Sequence, residues 1–72
     1  MKQPVFGDIL RAARNASGLS QQKLADRAGV STSNLAEIET GKINPTFRTM
    51  KILAAGMDAE LVIRFKVSGE DS

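Results

Sequence analysis

Neither histidine nor cysteine occurs among the 72 residues, which removes the side chains that most often do covalent or metal chemistry. A Ser–His or Cys–His nucleophile pair, a His-based metal site and a Cys-based zinc site are all excluded. Catalysis would have to rest on carboxylates, lysine or serine. The eight Asp and Glu residues are scattered, without the paired, desolvated spacing that acid–base work needs. The chain therefore reads as a binding protein and not an enzyme, and it implies no cofactor and no metal. What it offers is charge and hydrogen bonding. Through Gly56, eight Lys and Arg face four acids, a balance of +4, whereas Met57 onward carries −2. A basic body with a mildly acidic end suits a polyanion.

The elements that must position these groups are clearly punctuated. Phe6, Ile9, Leu10, Ala13 and Ser17 follow helical spacing, and Gly18 ends that first helix. Ser20 caps a second helix near Gln21–Ala28, with Leu24, Ala25 and Ala28 inward and Gly29 closing it. Ser31 caps a third near Thr32–Thr40, with Leu35 and Ile38 inward and Gly41 beyond its end. Thr46 caps a fourth, whose buried stripe is expected to be Phe47, Met50, Leu53 and Ala54, with Gly56 as its stop. The period then changes to two. Leu61, Ile63, Phe65 and Val67 alternate with Val62, Arg64 and Lys66, the pattern of a single strand over residues 60–67. Ser68 to Ser72 are polar and are expected to form a disordered tail.

Length and composition bound this plan. The chain has room for one small domain, which alone is marginally stable, so a tight core or oligomerisation is expected. Its hydrophobic fraction of 42% is ordinary. No apolar run approaches the roughly 18 residues of a membrane span, and Met1-Lys2-Gln3-Pro4 does not open a signal peptide. A soluble, cytoplasmic protein without a membrane partner is the expectation.

The second and third helices, joined through Gly29-Val30-Ser31, carry the functional signal. Two short helices cross tightly when a small residue (Ala25) lies at the crossing and a glycine (Gly29) takes the left-handed turn. Apolar residues (Val30, Leu35, Ile38) then lock one helix onto the other. That geometry projects the start of the second motif helix outward, where Thr32, Ser33 and, one turn later, Glu37 can enter a DNA major groove.

The run from Gly18-Leu19-Ser20-Gln21 through Ala25, Gly29-Val30-Ser31, Leu35-Ala36-Glu37-Ile38-Glu39-Thr40-Gly41-Lys42 and Asn44-Pro45-Thr46 resembles the Xre/Cro family of helix-turn-helix DNA-binding proteins, that of the lambdoid phage repressors. The resemblance covers about residues 6–57. Many members of that family carry a fifth helix where this chain has its strand, and a helical body with a terminal strand is similar to HipB-like antitoxins. The resemblance thus implies a mainly α, four-to-five-helix lambda-repressor-like domain, with the C-terminal β-strand pairing across a homodimer. Residues 1–58 would form the DNA-binding domain, 59–67 the dimerisation strand and 68–72 the tail.

The resemblance also implies roles. Thr32, Ser33 and Glu37 match base-reading positions. Hydroxyls donate or accept, the Thr methyl can meet thymine, and a carboxylate can accept from cytosine N4. Glu37 has an equal alternative as a solvated or ion-paired acid. Gln21 and Asn34 match phosphate contacts, and Lys42, Asn44 and Thr46 match a second phosphate clamp at the start of the fourth helix. Arg14 and Glu39 match a partly buried ion pair tying the first helix to the recognition helix, a structural role. Leu61, Val62, Ile63 and Phe65 would carry dimerisation. Arg11, Lys23, Arg27, Arg48 and Lys51 are expected on solvated faces, and Lys2 and Gln3 at most form a short arm. The implied function is a sequence-specific repressor of a palindromic operator in double-stranded DNA, as the antitoxin of a HipA-like kinase toxin. The alternatives are a phage-type or free-standing repressor without a toxin and, in a different class, a protein-interaction module that binds no DNA.

Overall fold

The computed structural model describes residues 5–65 and 67. Lys2, Gln3, Lys66 and the tail at 68–72 lie outside the described residues. Four helices follow in order: α1 (Phe6–Ala16), α2 (Gln21–Ala28), α3 (Thr32–Glu39) and α4 (Phe47–Gly56). Three of them start on a side-chain cap. Ser20 Oγ accepts from Lys23 N at 3.0 Å, Ser31 Oγ from Asn34 N at 3.0 Å, and Thr46 Oγ1 from Thr49 N at 3.1 Å. Each cap satisfies a donor that the first helical turn leaves free, and is worth about 1 kcal/mol.

All four helices close with the same hydrogen-bond pattern. At the end of α2, Val30 N donates to Ala25 O and Gly29 N to Asp26 O, while Gly29 takes the left-handed conformation at φ 73°, which together form a Schellman closure. At α4 the left-handed residue is Asp58 (φ 54°), with Ala59 N donating to Ala54 O and Asp58 N to Ala55 O. The expected stop at Gly56 is therefore displaced. Gly56 is the last residue of the helix and is buried, and a Cβ there would lie 2.9 Å from Leu24 Cδ1. It is glycine because α2 packs against it.

Leu10, Leu24, Ala25, Leu35, Ile38 and Leu53 form the core, with Phe6, Leu19, Ala28, Val30, Ile43 and Met57 packed around it. The helix α2 packs on α3 and α4, and α1 packs on α3. Two residues expected inward are not. Ile9 is 52% exposed and Phe47 56% exposed, because the core closes over Leu10 and Leu53 and leaves their neighbours on its rim. Ile9 instead lines an apolar groove of about 240 Å³ with Phe6, Ala13, Met50, Met57 and Leu61.

The expected strand is not formed among the described residues: positions 59–65 have no regular secondary structure. A strand exists by its ladder to a neighbour, and the four helices of one chain supply none. Val62, Ile63, Phe65 and Val67 are all more than half exposed, Phe65 at 94%.

Gly7 marks where α1 approaches α3 most closely. A Cβ on it would collide with the main-chain carbonyl oxygen of Ile38 and lie 2.7 Å from that of Glu39. Backbone cannot yield as a side chain can, so Gly7→Ala is expected to cost about 1–3 kcal/mol. Gly56→Ala, which meets the end of a leucine, is expected to cost less. Urea unfolding of both variants checks this, and equal losses would show that the α1–α3 approach is not limiting.

Candidate nucleic-acid interface

The turn between α2 and α3 is three residues long, and it leaves α3 with one face inward and one outward. Leu35, Ile38 and Glu39 are buried. At 100° per residue, Ser33 and Glu37 lie one turn apart on the opposite side, with Thr32 and Asn34 flanking them. All four are exposed. Ser31 Oγ is engaged by its cap, so the hydroxyls left for a partner are those of Thr32 and Ser33. Among the described residues, no cation lies within ion-pair distance of Glu37. Thr40 Oγ1 donates to its main-chain oxygen at 3.2 Å, leaving the carboxylate unengaged.

Lys42 and Asn44 are exposed on the α3–α4 connection. Thr46 Oγ1 accepts from Thr49 N and donates to Thr49 Oγ1, both at 3.1 Å. Its hydroxyl is therefore spent on the cap, and what α4 offers an anion is the free N–H groups of its first turn. Gln21 is half-buried, and its Nε2 donates to Glu39 Oε1 at 3.1 Å. The sequence reading missed this tether, although the signal was present. Gln21 stands three and four residues before Leu24 and Ala25, which puts it on the inward face of α2.

Behind this surface lies a buried charge cluster. Arg14 Nε donates to Glu39 Oε2 at 2.6 Å, its Nη2 donates to Glu39 Oε1 at 3.1 Å, and its Nη1 donates to Leu19 O at 2.9 Å. Glu39 is 2% exposed, yet both of its oxygens accept hydrogen bonds, and no buried side-chain polar atom among the described residues lacks a partner. The fork geometry suits arginine and would not suit lysine. Burial pushes the Glu39 carboxyl up. The hydrogen bonds from Arg14 and Gln21 and the charges of Arg14 and Arg11 outweigh it, leaving Glu39 below the ordinary glutamate value. The hydrogen bond to Glu39 correspondingly raises Arg14, against its own partial burial and with the help of the Glu39 charge.

Three of the cations expected on solvated faces have partners within the chain. Arg27 Nη1 donates to Gly56 O at 3.2 Å, tying α2 to the end of α4. Lys51 Nζ stands 5.5 Å from the centre of the Phe47 ring, within cation–π range. Arg11 pairs with Asp8 at 3.1 Å along α1, an exposed pair of little energetic weight.

This arrangement of helices is that of a helix-turn-helix protein with a lambda-repressor-like, mainly α fold. The helix-turn-helix family profile matches residues 10–62, and the chain belongs to that family, of the Xre type. It is 32% identical over 66 residues to the transcriptional regulator ClgR of Mycobacterium tuberculosis, covering 92% of this chain and 59% of that protein. Among solved structures, it is similar to the restriction-modification controller protein C.AhdI from Aeromonas hydrophila. There the TM-score is 0.74 and the identity 38%, over 76% of this chain and 83% of that one. It is also similar to SinR, the master regulator for biofilm formation, in complex with DNA. There the TM-score is 0.73 and the identity 30%, over 78% of this chain and 90% of that one. The chain spans between 28% and 59% of the length of the curated relatives it matches. These relatives are regulators, a non-enzymatic class. Among the described residues, no helix is long and apolar enough to cross a membrane.

The charge cluster sets a pH window. Because folding lowers the Glu39 pKa, its ionised form stabilises the fold above the unfolded glutamate value, and that contribution is lost as pH falls through the folded value. Stability should therefore drop as pH falls below roughly 4, and Glu39→Gln should flatten that limb in thermal melts. Arg14→Met, which strands a buried carboxylate, is expected to cost about 3–5 kcal/mol. Adding Glu39→Met should recover part of the loss. Additive losses in the cycle would mean that the two side chains are not energetically coupled.

Proposed function

We propose that this chain is a transcriptional repressor that occupies a palindromic operator in double-stranded DNA as a homodimer, and so acts in the cytoplasm. The observation that carries the reading is the outward face of α3. Thr32, Ser33 and Glu37 are exposed with their side chains unspent, and Asn34, Lys42, Asn44 and the start of α4 lie beside them in sequence. In this reading Thr32, Ser33 and Glu37 meet base edges. Gln21, Asn34, Lys42, Asn44 and the α4 terminus at Thr46 hold phosphates, while Arg14 and Glu39 serve the scaffold. The structure of SinR in complex with DNA supports DNA as the partner of this fold.

The dimer follows from the apolar segment after α4. Leu61, Val62, Ile63 and Phe65 would pair antiparallel with the same segment of a second copy and cover the groove between α1 and α4. Two-fold pairing is self-complementary, and it would give the exposed backbone of residues 60–65 its ladder. It would also present two recognition helices about 34 Å apart, one DNA turn. The narrower reading, an antitoxin of a HipA-like kinase toxin, draws on this same segment. The free-standing repressor needs only the DNA face and the dimer, and it is the reading we favour. A protein-interaction module without DNA would leave the polar face of α3 unexplained.

Two measurements test the proposal. Lys42→Ala should weaken binding on every duplex alike and reduce the salt slope by about one unit. Thr32→Ala with Ser33→Ala should cost about 1–3 kcal/mol on the selected operator and little on random DNA. If the double variant loses both kinds of binding equally, the base-reading assignment fails. For the dimer, Val62→Pro should give a monomer in sedimentation with weak, non-cooperative DNA binding. A variant that stays a tight dimer excludes the strand interface.

A further inference from the structure

We infer that Glu37 is the specificity-determining residue of the α3 face, and that it selects a cytosine in the operator by rejecting the other bases. The assignment rests on the DNA-binding reading above and deepens it by naming a base. Thr32, Ser33 and Asn34 are adaptable, because a hydroxyl and an amide each donate or accept. Glu37 is the one group among these four exposed residues with a single hydrogen-bonding sense. A carboxylate only accepts, and its charge is repelled by the phosphates that wall a groove. Glu39 has its charge matched by Arg14. Glu37, among the described residues, has no cation within ion-pair distance. Its charge is therefore a cost on every duplex unless a base returns a donor.

In the major groove only cytosine N4 and adenine N6 present such a donor. Adenine N6 lies between two acceptors, its own N7 and the O4 of the paired thymine, and both repel a carboxylate. Cytosine N4 has an acceptor on one side only, the O6 of the paired guanine. Guanine and thymine offer acceptors alone, so the carboxylate is best accommodated over cytosine. The backbone beneath it is held firmly. Glu37 O accepts from Lys42 N at 2.9 Å, from Ile43 N at 3.3 Å and from Thr40 Oγ1 at 3.2 Å. A phosphate contact by Lys42 and a base contact by Glu37 thus start from one fixed piece of chain.

The test reads base identity. A duplex pool of random sequence, enriched by the wild-type protein, should yield a consensus with a fixed cytosine whose identity depends on residue 37. Glu37→Gln should change that base to adenine, since glutamine pairs with adenine N6 and N7, and leave the rest of the consensus in place. Glu37→Ala should show no preference there. It should lower the ratio of operator to random-duplex affinity roughly tenfold, in part by binding random duplexes more tightly, and more so at low salt. The same consensus from all three proteins, or a residue-37-dependent base other than cytosine, overturns the assignment. So does Glu37→Ala binding random duplexes no more tightly than the wild type. A wild-type protein that enriches no duplex overturns the DNA-binding reading as well. Methylation of that cytosine at N4 gives a second measurement. It removes the hydrogen that faces the major groove and keeps the one that pairs with guanine. Wild-type binding should weaken roughly tenfold, and Glu37→Ala binding should not change. An equal loss with both proteins means that the methyl group is merely obstructive and that Glu37 does not read this base.

Discussion

One buried carboxylate holds the helix pair in register. Glu39 ends α3, Arg14 lies in the last turn of α1, and Gln21 opens α2. A single side chain thus receives bonds from two other helices, and Arg14 extends the network to the Leu19 carbonyl on the connection between them. Desolvating a charge is costly unless its partner is well placed and its remaining lone pairs are used, and here both conditions are met. Such a cluster adds less net stability than its short distances suggest. Removing one partner, by contrast, is strongly destabilising, because it leaves the other charge buried and unpaired. Gly7 fixes the same helix pair by sterics, since only a residue without Cβ lets α1 come this close to the main chain of Ile38 and Glu39.

Much of this was legible in the sequence because it is local. Ser20, Ser31 and Thr46 bond to a backbone group three residues away, so the residue type and the pattern that follows suffice to place them. Gly29 is legible for the same reason: the left-handed turn it supplies involves only its neighbours. The features the sequence did not disclose are those whose cause lies elsewhere in the fold. Gly56 looked like a helix stop because helix-ending glycines are common, whereas its actual partner is Leu24, thirty-two residues earlier. Asp58 took the left-handed role instead, a position that aspartate tolerates better than most residues. Ile9 and Phe47 satisfied the helical period, yet periodicity specifies a face and not whether the core extends that far along it.

The site residues divide in the same way. The exposed positions of α3 follow from the motif's geometry, since a helix whose inward residues are Leu35, Ile38 and Glu39 has only one face left. The engagement of Gln21 and of the Thr46 hydroxyl does not follow from residue type. Both are polar groups that a sequence reading offers to a ligand, and both already have intramolecular partners. For Thr46 the consequence is that the backbone, and not the hydroxyl, would be the group offered to an anion. For Gln21 it is that one hydrogen of two is free. Counting donors after the internal bonds are made sharpens what a surface can bind.

The terminal segment shows where a one-chain description reaches a physical boundary. Alternating apolar residues over 61–67 specify a strand only if a neighbour completes the ladder, and α1 to α4 provide none. Burying Phe65 and its neighbours would remove a large apolar side chain from water, at about 25 cal/mol per Å², and a six-residue core leaves a small domain reason to use that energy. In the proposed dimer, folding and association would then draw on the same residues, and DNA affinity would depend on both, because each half-site contact raises the effective concentration of the second. Arg27 stands at the root of that segment. It reaches from α2 to the carbonyl of Gly56, directly before the turn that launches the segment.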